Sequence, residues 1–202
     1  MTKLLLIRHA LNDWVGERLP GWTPNVHLND EGRQQAEALA QRLASLEIEA
    51  IYTSPLERAV ETAEIIAAAQ GLTVQGREGV GEVRFGEWTG QALEDLKKTD
   101  LWPAILTYPS GTRFPGGETV TEVQARAVAE IEAIRQAHPE GTVAVVSHGD
   151  VIKVVVAHYV GLHLDLFQRL AISPASLTIL GFGEMGPRLL SLNDTSHIPP
   201  KS

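Results

Sequence analysis

Thr142-Val143-Ala144-Val145-Val146-Ser147 runs without a break into His148-Gly149-Asp150 and then into an apolar, helix-like stretch from Val151. Six residues of this kind read as a buried strand, and the polar triplet marks where the strand delivers the chain to a helix. Upstream, Lys3–Ile7 reads as a first strand and Ala50–Thr53 as a short one. Downstream, Ser176–Gly181 and Arg188–Ser191 read as closing strands. Helical patterns alternate with them. Asn29 can cap a helix whose Ala36, Leu39, Ala40 and Leu43 recur at helical spacing. Ser54, Pro55 and Glu57 spell an N-cap, a first helical position and a capping box, for a helix running to about Ala69 before Gly71. Thr119 and Glu122 repeat the capping-box signature ahead of a helix toward Ala137. This alternation predicts an α/β domain of layered elements. Residues 76–117 hold Trp88, Trp102, Tyr108 and Phe114 among glycines and prolines. They read as a lid-like excursion within a single domain of residues 1–202, and Asn193–Ser202 reads as a loose tail.

Composition narrows the function. The 202 residues are 44% hydrophobic and 21% charged, ordinary for a globular protein with one core. The longest apolar runs, such as Val151–Val156 with Lys153 inside it, fall short of the ~20 residues of a membrane span. Arg8 and His9 end the apolar run after Lys3 at four residues, below the roughly 7–15 of a signal peptide. With no cysteine, thiolate catalysis, disulfides and Cys-ligated zinc are excluded, which fits a cytoplasmic location. A formal charge of −8 disfavours nucleic acid and anionic membranes as partners, while a homo-oligomer stays compatible with it. Any bound anion must meet a local concentration of positive groups.

Arg8-His9 supplies such groups just after the first strand, where ligands gather in open α/β sheets. Ser147-His148-Gly149 places a second histidine at a strand's carboxyl end. Two histidines on separate strands suggest a shared site. A zinc site is the rival reading, but it lacks HxH or HExxH spacing, so no metal is expected. Arg58 sits at the start of the helix after Ser54. Paired outward with Glu57 or Glu61 it would be a surface ion pair of little worth; turned inward it would join Arg8 in gripping phosphate.

Taken together, LIRHALNDW (6–14), TSPLERAVETA (53–63), GEVRFGEWTG (81–90) and VVSHGDVI (145–152) resemble the histidine phosphatase, or phosphoglycerate mutase-like, superfamily, and its small phosphatase branch in particular. The resemblance implies a three-layer α/β/α sandwich around a mostly parallel sheet. It further implies a phosphomonoesterase that needs no cofactor and acts on a small phosphorylated metabolite through a phosphohistidine. Carried over by position, His9 would be the nucleophile, Arg8, Arg58 and His148 would grip the phosphoryl group, and Glu82 would be the general acid and base. Asn12 and Gly149 would add phosphate contacts. Trp22, Thr23, Phe85 and Trp88 are candidates for the substrate pocket, with core and lid packing the equal alternative for the aromatic side chains. Glu78 and Glu87 compete with Glu82 from the same segment, and Asp150 is expected to cap the helix after His148. His27, His138, His158, His163 and His197 are expected to be surface or core residues.

Three positions depart from the family's pattern. Ala10 stands where glycine is usual, a strain if that position needs positive φ. Asn12 stands in place of threonine and still offers an amide donor. Val15 stands in place of asparagine and offers none, which leaves room for a donor such as Asn25. A cofactor-dependent phosphoglycerate mutase and a non-catalytic phospho-ligand binder are the two alternative functions.

Overall fold

A computed structural model describes residues 1–199. The elements follow in the order β1 (Thr2–Arg8), α1 (Asp30–Leu43), β2 (Ala50–Thr53), α2 (Glu57–Gln70), β3 (Val74–Gly76), α3 (Leu93–Leu96), α4 (Leu101–Thr107), α5 (Val120–Ala137), β4 (Thr142–Ser147), α6 (Gly149–Val160), β5 (Leu177–Gly183) and β6 (Gly186–Asp194). The six strands form one sheet, ordered β3-β2-β4-β1-β5-β6. Neighbours from β3 to β1 pair parallel, and β5 and β6 close the sheet antiparallel.

The alternation of side chains along each strand builds the layers. Leu5 and Ile7 of β1, with Ala144 and Val146 of β4, pack toward α1 and α2 against Leu39, Leu43, Ala63 and Ile66. Leu4, Leu6, Val143 and Val145 point the other way, toward Val123, Ala127 and Ile131 of α5 and Val151 and Val155 of α6. Both faces of the central strands are therefore apolar, as in parallel sheets covered on two sides. The result is the three-layer α/β/α sandwich that the motifs imply.

Asn29 Oδ1 accepts the Gly32 N–H at 2.9 Å, and Thr119 and Glu122 form a reciprocal capping box. Gly71 closes α2 in the left-handed conformation, at φ 66°. The expected helix start at Ser54 is not found. The Ser54 N–H is held by the Val146 carbonyl at 2.9 Å, so the chain stays extended past β2 and α2 opens only at Glu57. The proline that follows also disfavours a helical Ser54. β6 reaches Asp194, so the expected tail is shorter than Asn193–Ser202; Asp194 pairs with Arg42, and His197 Nε2 lies 3.0 Å from the Ala175 carbonyl. Residues 200–202 of that tail lie outside the described residues.

The 76–117 excursion packs on the α5–α6 side through its own aromatic cluster. Phe85 and Phe114 meet edge to face at 4.9 Å, and Trp88 stacks on Trp102 at 6.1 Å. Here two backbone segments cross. Gly86 has φ 57°, and a Cβ on it would overlap the Pro115 carbonyl, which accepts the Glu87 N–H at 2.8 Å. Gly86→Ala therefore meets both a disfavoured φ and an immovable neighbour. It should cost about 2–4 kcal/mol. Thermal unfolding should report a drop of roughly 5–15 °C, and an unchanged midpoint would show that the crossing can slide. No helix among the described residues is long and apolar enough to cross a membrane.

Candidate active site

Because β1, β2 and β4 run parallel, their carboxyl ends emerge side by side. The His9 N–H continues the ladder to the Ser147 carbonyl at 2.8 Å, and Ser54 does the same against Val146. This puts His9, Ser54 and His148 at one edge of the sheet, with the two imidazole rings 5.2 Å apart. Arg58 turns inward from the first turn of α2 and is fully buried. It makes no ion pair with Glu61, which instead holds His27 and Arg33. One Arg58 Nη2 donates to the Gly21 carbonyl at 3.0 Å and lies 3.3 Å from His148 Nδ1 and 3.8 Å from Glu82 Oε2.

Glu82 is the buried carboxylate of the excursion, only 8% exposed. Glu78 and Glu87 are exposed, and Glu78 pairs with Arg84. Glu82 Oε1 accepts the Val83 N–H at 2.9 Å, which leaves Oε2 facing His148 Nδ1 at 3.5 Å. Ser147 Oγ donates to the Val80 carbonyl at 2.7 Å, fastening this loop to the end of β4.

The electrostatics follow from burial. Desolvation, then the Arg58 and Arg8 charges, hold the His9 pKa well below the ordinary imidazole value, so the ring is neutral. Its Nδ1 lies 2.8 Å from the Ala10 carbonyl, an acceptor only, so Nδ1 carries the proton and the Nε2 lone pair is free. Desolvation and Arg58 also hold His148 neutral. Arg58 can only donate to its Nδ1, so Nε2 carries the proton and donates to Ser54 Oγ at 2.7 Å. Burial pushes the Glu82 carboxyl up, and the Asp150 charge adds to that shift, while Arg58, the Val83 N–H and Arg8 oppose it.

Among the described residues, five buried side-chain polar atoms lack a partner: Arg8 Nε, Asn12 Nδ2, Arg58 Nε, Arg58 Nη1 and Ser176 Oγ. Four are N–H donors on residues of the candidate phosphate site. Buried donors of this kind cost about 1–3 kcal/mol each when unpaired. A set of them beside His9 is suited to an anion. The uncapped N-terminus of α6, at Gly149, adds backbone donors and a favourable dipole. No group of three or more His, Asp or Glu side chains among the described residues is placed to hold a metal ion.

A cavity of about 180 Å³ opens over this centre, lined by Arg8, His9, Glu82, Gly149, Phe85 and Leu93, with Val15, Arg18, Asp150 and Lys153 also in its wall. A larger depression of about 500 Å³ lies at the opposite end of the sheet, around Lys3 and Thr142, and holds none of these groups. Of the four residues expected to line a substrate pocket, Phe85 does so. Trp88 is buried in the aromatic cluster, because an indole of its size fills the space under the excursion. Trp22 gives its indole N–H to the Glu82 carbonyl at 2.7 Å, and Thr23 belongs to a turn closed on Pro20. Asp150 makes no cap. It pairs with Lys153 at 3.1 Å, both facing the cavity.

The three departures are absorbed differently. Ala10 lacks positive φ, and its methyl packs with Leu28, Ala36 and Ala175. Asn12 Oδ1 accepts the Trp14 N–H at 2.9 Å and keeps Nδ2 unpartnered. Val15 is an apolar part of the cavity wall, and Asn25 is exposed outside it, its backbone N–H held by Glu57 Oε1 at 3.0 Å. Sequence reasoning missed Ser54 as a partner of His148, and Arg18 and Lys153 as cavity cations. A Ser-Pro at a strand's carboxyl end was the available signal for the first; nothing local marks the other two.

The sequence model of the histidine phosphatase superfamily (branch 1) matches residues 4–195, and the chain belongs to that family. It is 32% identical over 202 residues to phosphoserine phosphatase 1 of Hydrogenobacter thermophilus, covering 98% of this chain and 95% of the relative. Bacillus stearothermophilus YhfR superposes with a TM-score of 0.92 at 31% identity, over 98% of this chain and 100% of YhfR. The phosphoserine phosphatase of Entamoeba histolytica, in complexes with phosphoserine and with 3-phosphoglyceric acid, superposes with TM-scores of 0.89 and 0.90. It is 28% identical over 98% of this chain and 100% of its own. The chain is an enzyme of the phosphatase class, and the mutase reading is the weaker.

Proposed function

We propose that this protein hydrolyses small, carboxylate-bearing phosphomonoesters through a phosphohistidine on His9. The observation that carries the reading is the set of buried, unpartnered N–H donors beside a neutral, tautomer-fixed His9. In the first step the His9 Nε2 lone pair attacks phosphorus and the ester P–O bond breaks. Arg8, Arg58, Asn12 Nδ2 and the Gly149 N–H take the equatorial oxygens, and the protonated Glu82 carboxyl gives its proton to the departing alkoxide. His148 stays neutral beside the phosphoryl site, its Nε2–H on Ser54 Oγ and its Nδ1 against Arg58 and Glu82. In the second step the Glu82 carboxylate accepts a proton from water as the water oxygen bonds to phosphorus, and the N–P bond breaks. The cycle consumes one water and needs no metal or organic cofactor. The excursion at 76–117 acts as a fixed lid, contributing Glu82, Phe85 and Leu93 to the cavity wall. A disulfide-free chain suits the cytoplasm.

Two features support the substrate class. The cavity is small, and outside the phosphoryl cluster its wall carries Arg18 and the Lys153 ammonium, which already pairs with Asp150. Both ligands seen in the Entamoeba complexes, phosphoserine and 3-phosphoglyceric acid, carry a carboxylate close to the phosphate. Purified enzyme should therefore prefer such esters to glycerol phosphate of similar size. Lys153→Gln and Arg18→Gln should each raise KM for the carboxylated ester by ~10-fold, the loss of one charge-assisted contact in a partly solvated site. KM for glycerol phosphate should hardly change. Equal KM changes for both esters would remove the carboxylate from the proposal.

A further inference from the structure

Arg126 lies on α5, outside all four motifs, and every one of its N–H donors is used. Nη1 donates to the carbonyls of Gly79 and Gly81, each at 2.8 Å. Nη2 donates to the Glu82 carbonyl at 2.9 Å and to Glu118 Oε2 at 3.0 Å, and Nε donates to Glu118 Oε1 at 2.8 Å. One planar fork thus reads three carbonyls within four residues, all at or just before Glu82. Glu118 completes the clasp on the far side, where its Oε2 accepts the Arg84 N–H at 2.8 Å and its own N–H donates to the Arg84 carbonyl at 2.9 Å. The Trp22 indole occupies the other side of the Glu82 carbonyl.

This fixing of the backbone reaches the carboxyl group. Glu82 Oε1 is tied to the next residue's N–H, so the side chain moves with the backbone of 82–83. Any shift of that backbone shifts Oε2 relative to His148 and Arg58. We propose that Arg126 is a positioning residue for proton transfer: through its fork on Gly79, Gly81 and Glu82 it sets where the Glu82 carboxyl stands over the phosphoryl site. The proposal rests on the reading of Glu82 as the acid and base. A lysine keeps the charge but is a point donor with three protons, and it cannot span three carbonyls and a carboxylate. The effect of Arg126 is therefore geometric and separable from its field.

The test compares Arg126→Lys, Glu118→Gln, Glu82→Gln and the Arg126→Lys/Glu82→Gln double variant, each checked for a native unfolding transition. Turnover of glycerol phosphate, whose alkoxide needs a proton, is set against single-turnover release of p-nitrophenolate, which does not. Misplacing a catalytic group by about 1 Å can cost ~10²-fold. Arg126→Lys should lose roughly 30–100-fold in kcat on glycerol phosphate, with KM little changed, and only a few-fold on p-nitrophenolate release. Glu118→Gln should shift the same way by less. Because Arg126 acts through Glu82, Arg126→Lys should cost little more once Glu82→Gln is present. If Glu82→Gln shows the leaving-group split while Arg126→Lys and Glu118→Gln lose equally on both esters, Arg126 only supports the fold and the proposal fails. If Glu82→Gln itself loses equally on both, the reading of Glu82 fails and takes the proposal with it.

Discussion

His9→Ala should leave a folded protein with turnover reduced on the order of 10⁵-fold or more, on every phosphomonoester alike, since the loss is of the nucleophile and not of one substrate contact. The wild-type ring is neutral, has its proton fixed on Nδ1 by the Ala10 carbonyl, and sits against two guanidiniums. Rapid quench of the wild type with a labelled ester should trap a phosphoprotein that is acid-labile and base-stable, and His9→Ala should trap none. Normal turnover in His9→Ala would move the nucleophile elsewhere. The fold should tolerate the change because the His9 ring, although buried, makes one hydrogen bond, to its own neighbour's carbonyl.

Glu82→Gln carries the second large effect, and its signature depends on the leaving group. An alkyl phosphate such as glycerol phosphate needs a proton on the departing oxygen, so its hydrolysis should fall by ~10²–10⁴-fold. Release of p-nitrophenolate in a single turnover should suffer far less. Water still has to be activated afterwards, so phosphohistidine should accumulate. Glu87→Gln, altering an exposed side chain, should be near wild type. The pH profile gives an independent check. On the proposed mechanism the active form needs His9 neutral, which holds above its depressed pKa, and Glu82 protonated, which holds below its elevated pKa. Activity on alkyl esters should thus fall with rising pH as Glu82 ionises, at a pH above the ordinary carboxylate range. Glu82→Gln should abolish that alkaline limb. A limb that survives in Glu82→Gln, or equal losses on both leaving groups with no accumulated intermediate, would assign the proton transfer to another group.

Much of this could be read before any coordinates. β1 and β4 announce themselves because strands buried on both faces must be continuously apolar. β3 does not, since Val74-Gln75-Gly76 is three residues at the sheet's edge with little to bury. Ser54 shows a sharper limit. A serine followed by proline and, three residues on, glutamate spells a capping box, but the hydroxyl that would cap a helix is engaged by His148, 94 residues away. Trp22 is a pocket candidate in the sequence, yet its indole N–H decides its place, on the Glu82 carbonyl. Arg126 left no trace, because an arginine in the second turn of an amphipathic helix looks like any solvated residue until the carbonyls it meets are known. Side chains whose work is local were legible. Distant partnerships are legible where a motif marks them, as for Arg58 and His148, and not for Ser54, Trp22 and Arg126.

The same distances bear on how the enzyme comes into being. His9 lies beside Ser147 and His148 only because β1 pairs with β4, and Arg8 reaches the Ile172 carbonyl across 164 positions. Pairings so far apart raise the contact order, and the entropy of closing such loops must be met before the contacts return it. During synthesis His9, the proposed nucleophile, leaves the ribosome well before His148 and Gly149, which complete its cradle. A nascent chain that still lacks β4 therefore holds His9 without the strand that seats it beside His148. On the proposed mechanism, hydrolytic capacity arrives only once β1 and β4 are paired, so a copy still lacking β4 should be inert toward phosphate esters.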